Sequence, residues 1–329
     1  MEFRTIIPIK PLHKGIDHQG SILSLGSCFA DNMAQRLSRA KFHITASPTG
    51  ILFNPESIAN AIEHFADVAN GDGLSLPQME ELHQSNGLWF NYDFHSSFSN
   101  SDATVALQNM RSAVELGAKA LAEADTIIIT FGSAFVYKLN EGGGVVANCH
   151  KQPQALFTKQ MLSAEQIAQR YIALIKGPLA SKHIIFTVSP IRHLGDGAEL
   201  NSLSKATLRV AIGLIIEAFP EISYFPSYEI MYDELRDYRF YSDDMIHPSS
   251  QAIEYIWERF AAAAFSPQTQ QIISDIEQIK RAAEHRANDT QSEAHKRFCA
   301  QMIDKIKVLE VKCSHIDMRQ EKEYFNTYL

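Results

Sequence analysis

The sequence predicts an α/β protein: a doubly wound parallel sheet of about five strands, followed by a C-terminal helical extension. Three observations carry this. Short apolar runs alternate with amphipathic segments of helical length from residue 21 to about 264, the pattern of strand–helix–strand units. The clearest run, residues 125–132, is Asp-Thr-Ile-Ile-Ile-Thr-Phe-Gly. It is apolar and β-branched on both faces, as a strand covered by helices on each side must be. Past residue 266 the strands stop. Ile272, Ile276, Ile279 and Ala283 repeat at helical spacing, and so do Phe298, Met302, Ile306, Leu309 and Cys313.

Taken in order, Pro8 and Pro11 mark an irregular lead-in. Residues 22–25 form the first strand, and Phe29, Met33, Leu37 and Ala40 mark the apolar face of the helix after it. Residues 42–46 read as a second strand ending in the turn Ser47-Pro48-Thr49-Gly50. Asn54-Pro55 opens a helix to Val68, with proline at its first position. Residues 70–100 are irregular and rich in aromatics. A helix covers 102–123, the central strand follows, and Gly142-Gly143-Gly144 marks a hairpin turn. A helix at 163–177 leads to a strand at 183–188, a helix at 201–218 to a strand at 222–226. The last helix of this body shows Ala252, Ile256, Trp257 and Phe260 on one face. Two units result: an α/β domain over 1–265 and a helical hairpin over 266–329, its halves separated near Asn288-Asp289-Thr290. That hairpin could dock on the body or join two chains as a homodimer.

The chain has 329 residues, 45% hydrophobic and 21% charged, with a formal net charge of −8. The extension holds ten basic and ten acidic residues, so the charge resides in the α/β body. An acidic body with scattered Lys and Arg is not a nucleic-acid surface. No apolar stretch reaches membrane-spanning length, and the N-terminus lacks the pattern of a signal peptide. Cys28, Cys149, Cys299 and Cys313 form no CxxC pair, which suits a reduced, cytoplasmic setting. Among 13 histidines there is no metal-ligand spacing, so no metal or other cofactor is expected.

Ser27 falls between the first strand and its helix, at the carboxyl edge where open parallel sheets bind ligands. Its hydroxyl lies beside unpaired helix N–H groups, which favour developing negative charge. It also suits a plain helix cap. Tyr241-Ser242-Asp243-Asp244-Met245-Ile246-His247-Pro248-Ser249 precedes the last helix of the body. Asp244 stands three residues before His247, within reach of the imidazole Nδ1–H, leaving Nε2 to take a proton. These too could be turn and cap residues. The pairing points further than either part: serine after the first strand, Asp-x-x-His before the last helix.

This arrangement resembles the SGNH (GDSL-like) hydrolases. Gly26-Ser27-Cys28-Phe29-Ala30 resembles the motif that names the GSCFA domain family. So do Pro48-Thr49-Gly50-Ile51-Leu52-Phe53-Asn54-Pro55, Ala147-Asn148-Cys149-His150-Lys151 and Val188-Ser189-Pro190-Ile191-Arg192-His193, in the right order. The resemblance spans about residues 20–260 and implies an SGNH-like, flavodoxin-like sheet. It implies Ser27 as nucleophile, His247 as general base and Asp244 as its orienting partner. The oxyanion donors would be the N–H groups of Ser27 and Gly50. Two departures stand out. Gly26 replaces the aspartate usual before the serine. Gly132-Ser133-Ala134-Phe135 replaces the Gly-x-Asn-Asp motif that supplies a third oxyanion donor, for which Asn148 or Asn54 could substitute. Losing such a donor typically costs about 10²–10³ in turnover.

The expected activity is that of a serine ester hydrolase working through an acyl-enzyme, on a small-molecule or glycan ester. Acyl transfer to a sugar hydroxyl would use the same residues. A thiol nucleophile at Cys28 is a rival, because a helix N-terminus lowers a thiol pKa. A third reading is a non-catalytic binding module. Asn54, Trp89, His95, Arg192 and His193 are the candidate substrate contacts in each case.

Overall fold

The computed structural model describes residues 4–285 and 289–329. Asn288, at the predicted break in the extension, lies outside them. Five parallel strands form the central sheet: β1 (Ser21–Gly26), β2 (His43–Ala46), β3 (Thr126–Phe131), β4 (His183–Val188) and β5 (Ser223–Phe225). Their spatial order is β5-β4-β3-β1-β2, the flavodoxin-like order 2-1-3-4-5 read from the other edge. Leu23 lies abreast of Ile127 and Thr45, and Ile129 abreast of Phe186. All six residues of β3 and all six of β4 are buried, as their two-sided apolar sequences require.

Alternation along the strands divides the core into two layers. Leu23, Leu25, Ile127 and Ile129 face one side, against α2 (Pro55–Ala69), α3 (Ala103–Glu123), α4 (Ala164–Lys176) and α5 (Gly197–Ala218). Ile22, Ile128, Ile185 and Phe225 face the other, against α1 (Cys28–Arg39) and α6 (Ser250–Ala264). Most of these helices begin where the sequence supplies a cap. Asn54 accepts from Ser57 N–H with Pro55 at the first turn, Asp102 accepts from Thr104 and Val105, and Ser163 and Gln166 form a reciprocal box. The Gly142-Gly143-Gly144 turn does join antiparallel strands, Phe135–Leu139 and Val145–Val146. A third strand, Phe157–Met161, which the sequence did not announce, pairs on the other side. Within residues 70–100 there is also a short hairpin, His83–Ser85 with Leu88–Phe90.

The extension is more than a hairpin. Helices α7 (Pro267–Glu284) and α8 (Glu293–Lys312) are joined by a third, α9 (Arg319–Asn326). Ile276, Ile279, Met302, Ile306, Leu309 and Phe325 bury one another in a separate small core. Ile273 packs into the core under α1 and α6 instead, so the unit is docked on the body. Arg39, at the end of α1, forms a forked ion pair with Glu284 at 2.6 and 2.9 Å. Lys41 meets the buried Glu321 at 3.0 Å. Among the described residues, no helix is long and apolar enough to cross a membrane.

His183, 8% exposed at the start of β4, has its Nε2 buried without a partner. Burial first, then the positive field of Lys14, pushes its pKa from 6.5 down to about 4. Between those values the unfolded chain binds a proton that the folded chain excludes, so stability falls as pH drops through that window. Thermal melts at pH 7 and pH 5 should show most of the loss, about 2 kcal/mol for this residue over that interval. His183→Asn should flatten the dependence.

Candidate active site

Ser27 follows the last residue of β1 and caps α1: its Oγ accepts Phe29 N–H at 3.3 Å, and the residue is only 2% exposed. The local backbone explains the glycine before it. Gly26 has φ +145°, and a Cβ there would lie 2.3 Å from the Thr130 carbonyl oxygen of neighbouring β3. An aspartate at this position has no room. Past Ser27 the chain is bound tightly to its neighbours. Ser47 N–H donates to Ser24 O, and Leu52 N–H to Gly26 O. Gly50, at φ +88°, presses on His95, where an added Cβ would fall 2.3 Å from the histidine Cβ.

Asp244 and His247 are brought together as the spacing predicts. Asp244 Oδ2 accepts from His247 Nδ1 at 2.6 Å, and its Oδ1 accepts the N–H groups of Ile246 and His247 at 2.9 and 3.0 Å. Those bonds, led by the His247 N–H, hold the exposed Asp244 carboxyl down to about 2, so it is a carboxylate at any working pH. Met245, inside the loop, takes φ +57°. Arg192 holds that loop shut from outside: its N–H donates to Ile246 O at 3.2 Å and its Nη1 to Met245 O at 2.9 Å.

Topology places serine and histidine at one corner. Helices α1 and α6 both run back from the carboxyl edge along the same face, so their N-termini share that edge. An ion pair between Arg36 and Glu254 links them side by side. Among the described residues no hydrogen bond joins Ser27 to His247. Catalytic hydrogen bonds are often long until substrate is bound.

The other expected residues divide. Gly50 N–H already donates to Ser47 O at 2.8 Å. Asn148 accepts from His150 N–H through Oδ1 at 2.7 Å; its neighbour Ala147 and Thr49 line one small cavity. Asn54 bonds Ser57 through both side-chain atoms and acts as a buried helix cap. Trp89 pairs by backbone with Asn100 and packs on the core of the α2–α5 layer, a structural role. His95 buttresses Gly50 and bonds Ser97 Oγ at 3.0 Å. His193 is the surprise. Its ring leans on Phe53, and its buried Nε2 has no partner and faces Gly132, 3.3 Å from where a Cβ would be. Burial, then the nearby Lys205 ammonium, pushes its pKa down to about 4, so the ring is neutral. Cys28 moves the other way: burial raises its thiol pKa, the opposite of what an activated nucleophile needs.

Sequence reasoning missed the cavity beyond Arg192. It measures about 310 Å³ and is lined by Arg192, Asn201, Tyr228, Tyr232, Tyr238 and Tyr241, among others. Tyr241 bridges to Pro248, so this wall is continuous with the His247 loop. The signal was present as tyrosines at 228, 232, 238 and 241, scattered through a stretch with no regular period. Among the described residues no cluster of three or more His, Cys, Asp or Glu side chains could hold a metal ion.

Fold and edge together define an α/β protein of flavodoxin-like strand order, with a serine and an Asp–His pair at the carboxyl edge of the sheet. The chain belongs to the GSCFA family, whose model matches residues 21–260. The C-terminal domain of GSCFA domain proteins matches residues 276–329, within the three-helix unit. No curated protein matches the chain.

The two glycines at the edge give a direct expectation. Gly26→Ala and Gly50→Ala each force a side chain into a left-handed backbone and a close contact. Each should cost about 2–4 kcal/mol, read as a lower urea midpoint, whereas Gly142→Ala in the open hairpin turn should cost far less.

Proposed function

We propose that the chain is a serine ester hydrolase of the SGNH type. One observation carries the reading: Asp244 grips His247 by side chain and backbone at the edge where Ser27 heads α1. Ser27 Oγ attacks the acyl carbon while His247 Nε2 takes its proton. The bond from acyl carbon to alcohol oxygen breaks, and the alcohol leaves with that proton. Water repeats the exchange and releases the acid. A sugar hydroxyl in place of water makes the same site an O-acyltransferase.

The oxyanion is received by Ser27 N–H, with His193 standing in for the missing asparagine. Thr130 lies abreast of Gly26, so Gly132 is two residues past the point level with the serine turn. His193 Nε2 faces Gly132 there, neutral and without a partner. A neutral imidazole N–H is a competent donor that adds no net charge. Two observations favour the binding-module alternative: Ser27 is shielded from solvent, and Gly50 N–H is already used by Ser47.

A fluorophosphonate probe decides between them. Labelling at Ser27 that vanishes in Ser27→Ala and His247→Ala is the expected outcome, and a well-folded wild type that takes no label would sink the hydrolase reading. Asp244→Asn should lower ester turnover about 10³–10⁴-fold with the fold intact. His193→Phe should lower kcat about 10²–10³-fold with KM little changed; an unchanged kcat would remove His193 from the oxyanion site.

A further inference from the structure

We propose that the tyrosine-lined cavity beyond Arg192 binds an acidic sugar, the alcohol half of the ester that Ser27 opens. The assignment rests on the hydrolase reading for its role and on the cavity for its chemistry. At about 310 Å³ the cavity sits at the small end of the ~300–1,000 Å³ range of small-molecule sites. A single sugar ring suits it better than a long acyl chain. Tyr228 and Tyr232 stack at 5.6 Å with planes 17° apart, and Tyr232 and Tyr238 are 59% and 64% exposed. Exposed, rigid rings with hydroxyl tips offer an apolar face and hydrogen bonds together, as a sugar does.

The wall holds Arg192, Arg236 and Asp237, and one of these charges has no ionic partner among the described residues. Arg236 is paired with Asp233 at 3.1 Å, and Asp237 is occupied by Arg239 N–H at 2.9 Å. Arg192 has no carboxylate partner among the described residues; it touches Met245 O and the rings of Tyr238 and Tyr241. Behind Tyr228 lies Lys205, 5.9 Å from the ring centroid and fully buried, bonded only to carbonyl oxygens. A guanidinium in the wall without a counter-ion calls for an anionic group on the ligand. The backbone is shaped for this surface. Met231 and Tyr232 sit in a π-helical turn, Ile230–Leu235, that ends at Arg236 in a left-handed conformation with φ +30°. Such turns and such backbone strain concentrate at functional sites.

The test is titration of the full-length protein with free sugars that carry no ester, so binding is read without turnover. Glucuronate and glucose 6-phosphate separate a carboxylate from a phosphate, and glucose is the neutral control. Tighter binding of at least one acid than of glucose is expected. Arg192→Gln should weaken that acid about 10- to 100-fold while leaving glucose nearly unaffected. Tyr232→Ala, a solvent-exposed change that spares the fold, should weaken all bound sugars about 2- to 10-fold. Glucose binding as tightly as both acids, or no binding by any of the three, overturns the inference. Fluorophosphonate labelling is run beside it: a labelled serine without sugar binding removes this cavity and keeps the hydrolase, and the reverse result keeps the cavity and removes the hydrolase.

Discussion

The carboxyl edge of the sheet depends on one buried ammonium. Lys205, reaching in from α5, donates to Gly132 O at 2.6 Å and Ser189 O at 2.7 Å. These carbonyls stand just past the ends of β3 and β4, where the sheet no longer supplies donors. Left alone, each would cost about 1–3 kcal/mol. Burial lowers the Lys205 pKa to about 7, so even the charge is only partly tolerated. What the ammonium secures lies above it. Gly132 and Ser133 turn against Phe53 O, and Ser189 leads to Arg192, which holds the loop of Asp244 and His247. The chain of support runs from a core lysine to the Asp244–His247 loop without touching solvent until its last link.

Much of this was legible because periodicity reports burial. Strands β3 and β4 are apolar on both faces and sit within the sheet; most of the helices packed on it start at a Ser, Asn or Asp that caps them. The Asp244–His247 pair was legible because three residues of separation fix the reach of a carboxylate. Other features were hidden for physical reasons. Asn54 reads as polar and available, yet the same amide that could bind a substrate also caps a helix, and the nearby Ser57 claims it. Gly50 N–H looked free because a sequence does not reveal that Ser47 O folds back on it. The role of His193 depends on a long-range approach to Gly132, 61 positions away, for which no local pattern exists. The tyrosine cavity escaped for the related reason that a π-helical turn has neither the helical nor the strand period.

The site's electrostatics divide its labour. Asp244 is exposed yet remains a carboxylate because backbone N–H groups, rather than burial, stabilise its charge. His193 is kept neutral by the opposite device, exclusion of water together with the field of Lys205. One edge therefore holds a fixed anion, an uncharged imidazole and a fixed guanidinium.

Helix α1 carries Ser27 at one end and is fastened at the other. Arg39 and Lys41, at and just past its C-terminus, are clamped by Glu284 and Glu321 of the three-helix unit. A helix of 12 residues is a stiff rod about 18 Å long. Rods transmit axial displacement with little loss. The C-terminal unit thus anchors the far end of the helix whose near end is capped by Ser27.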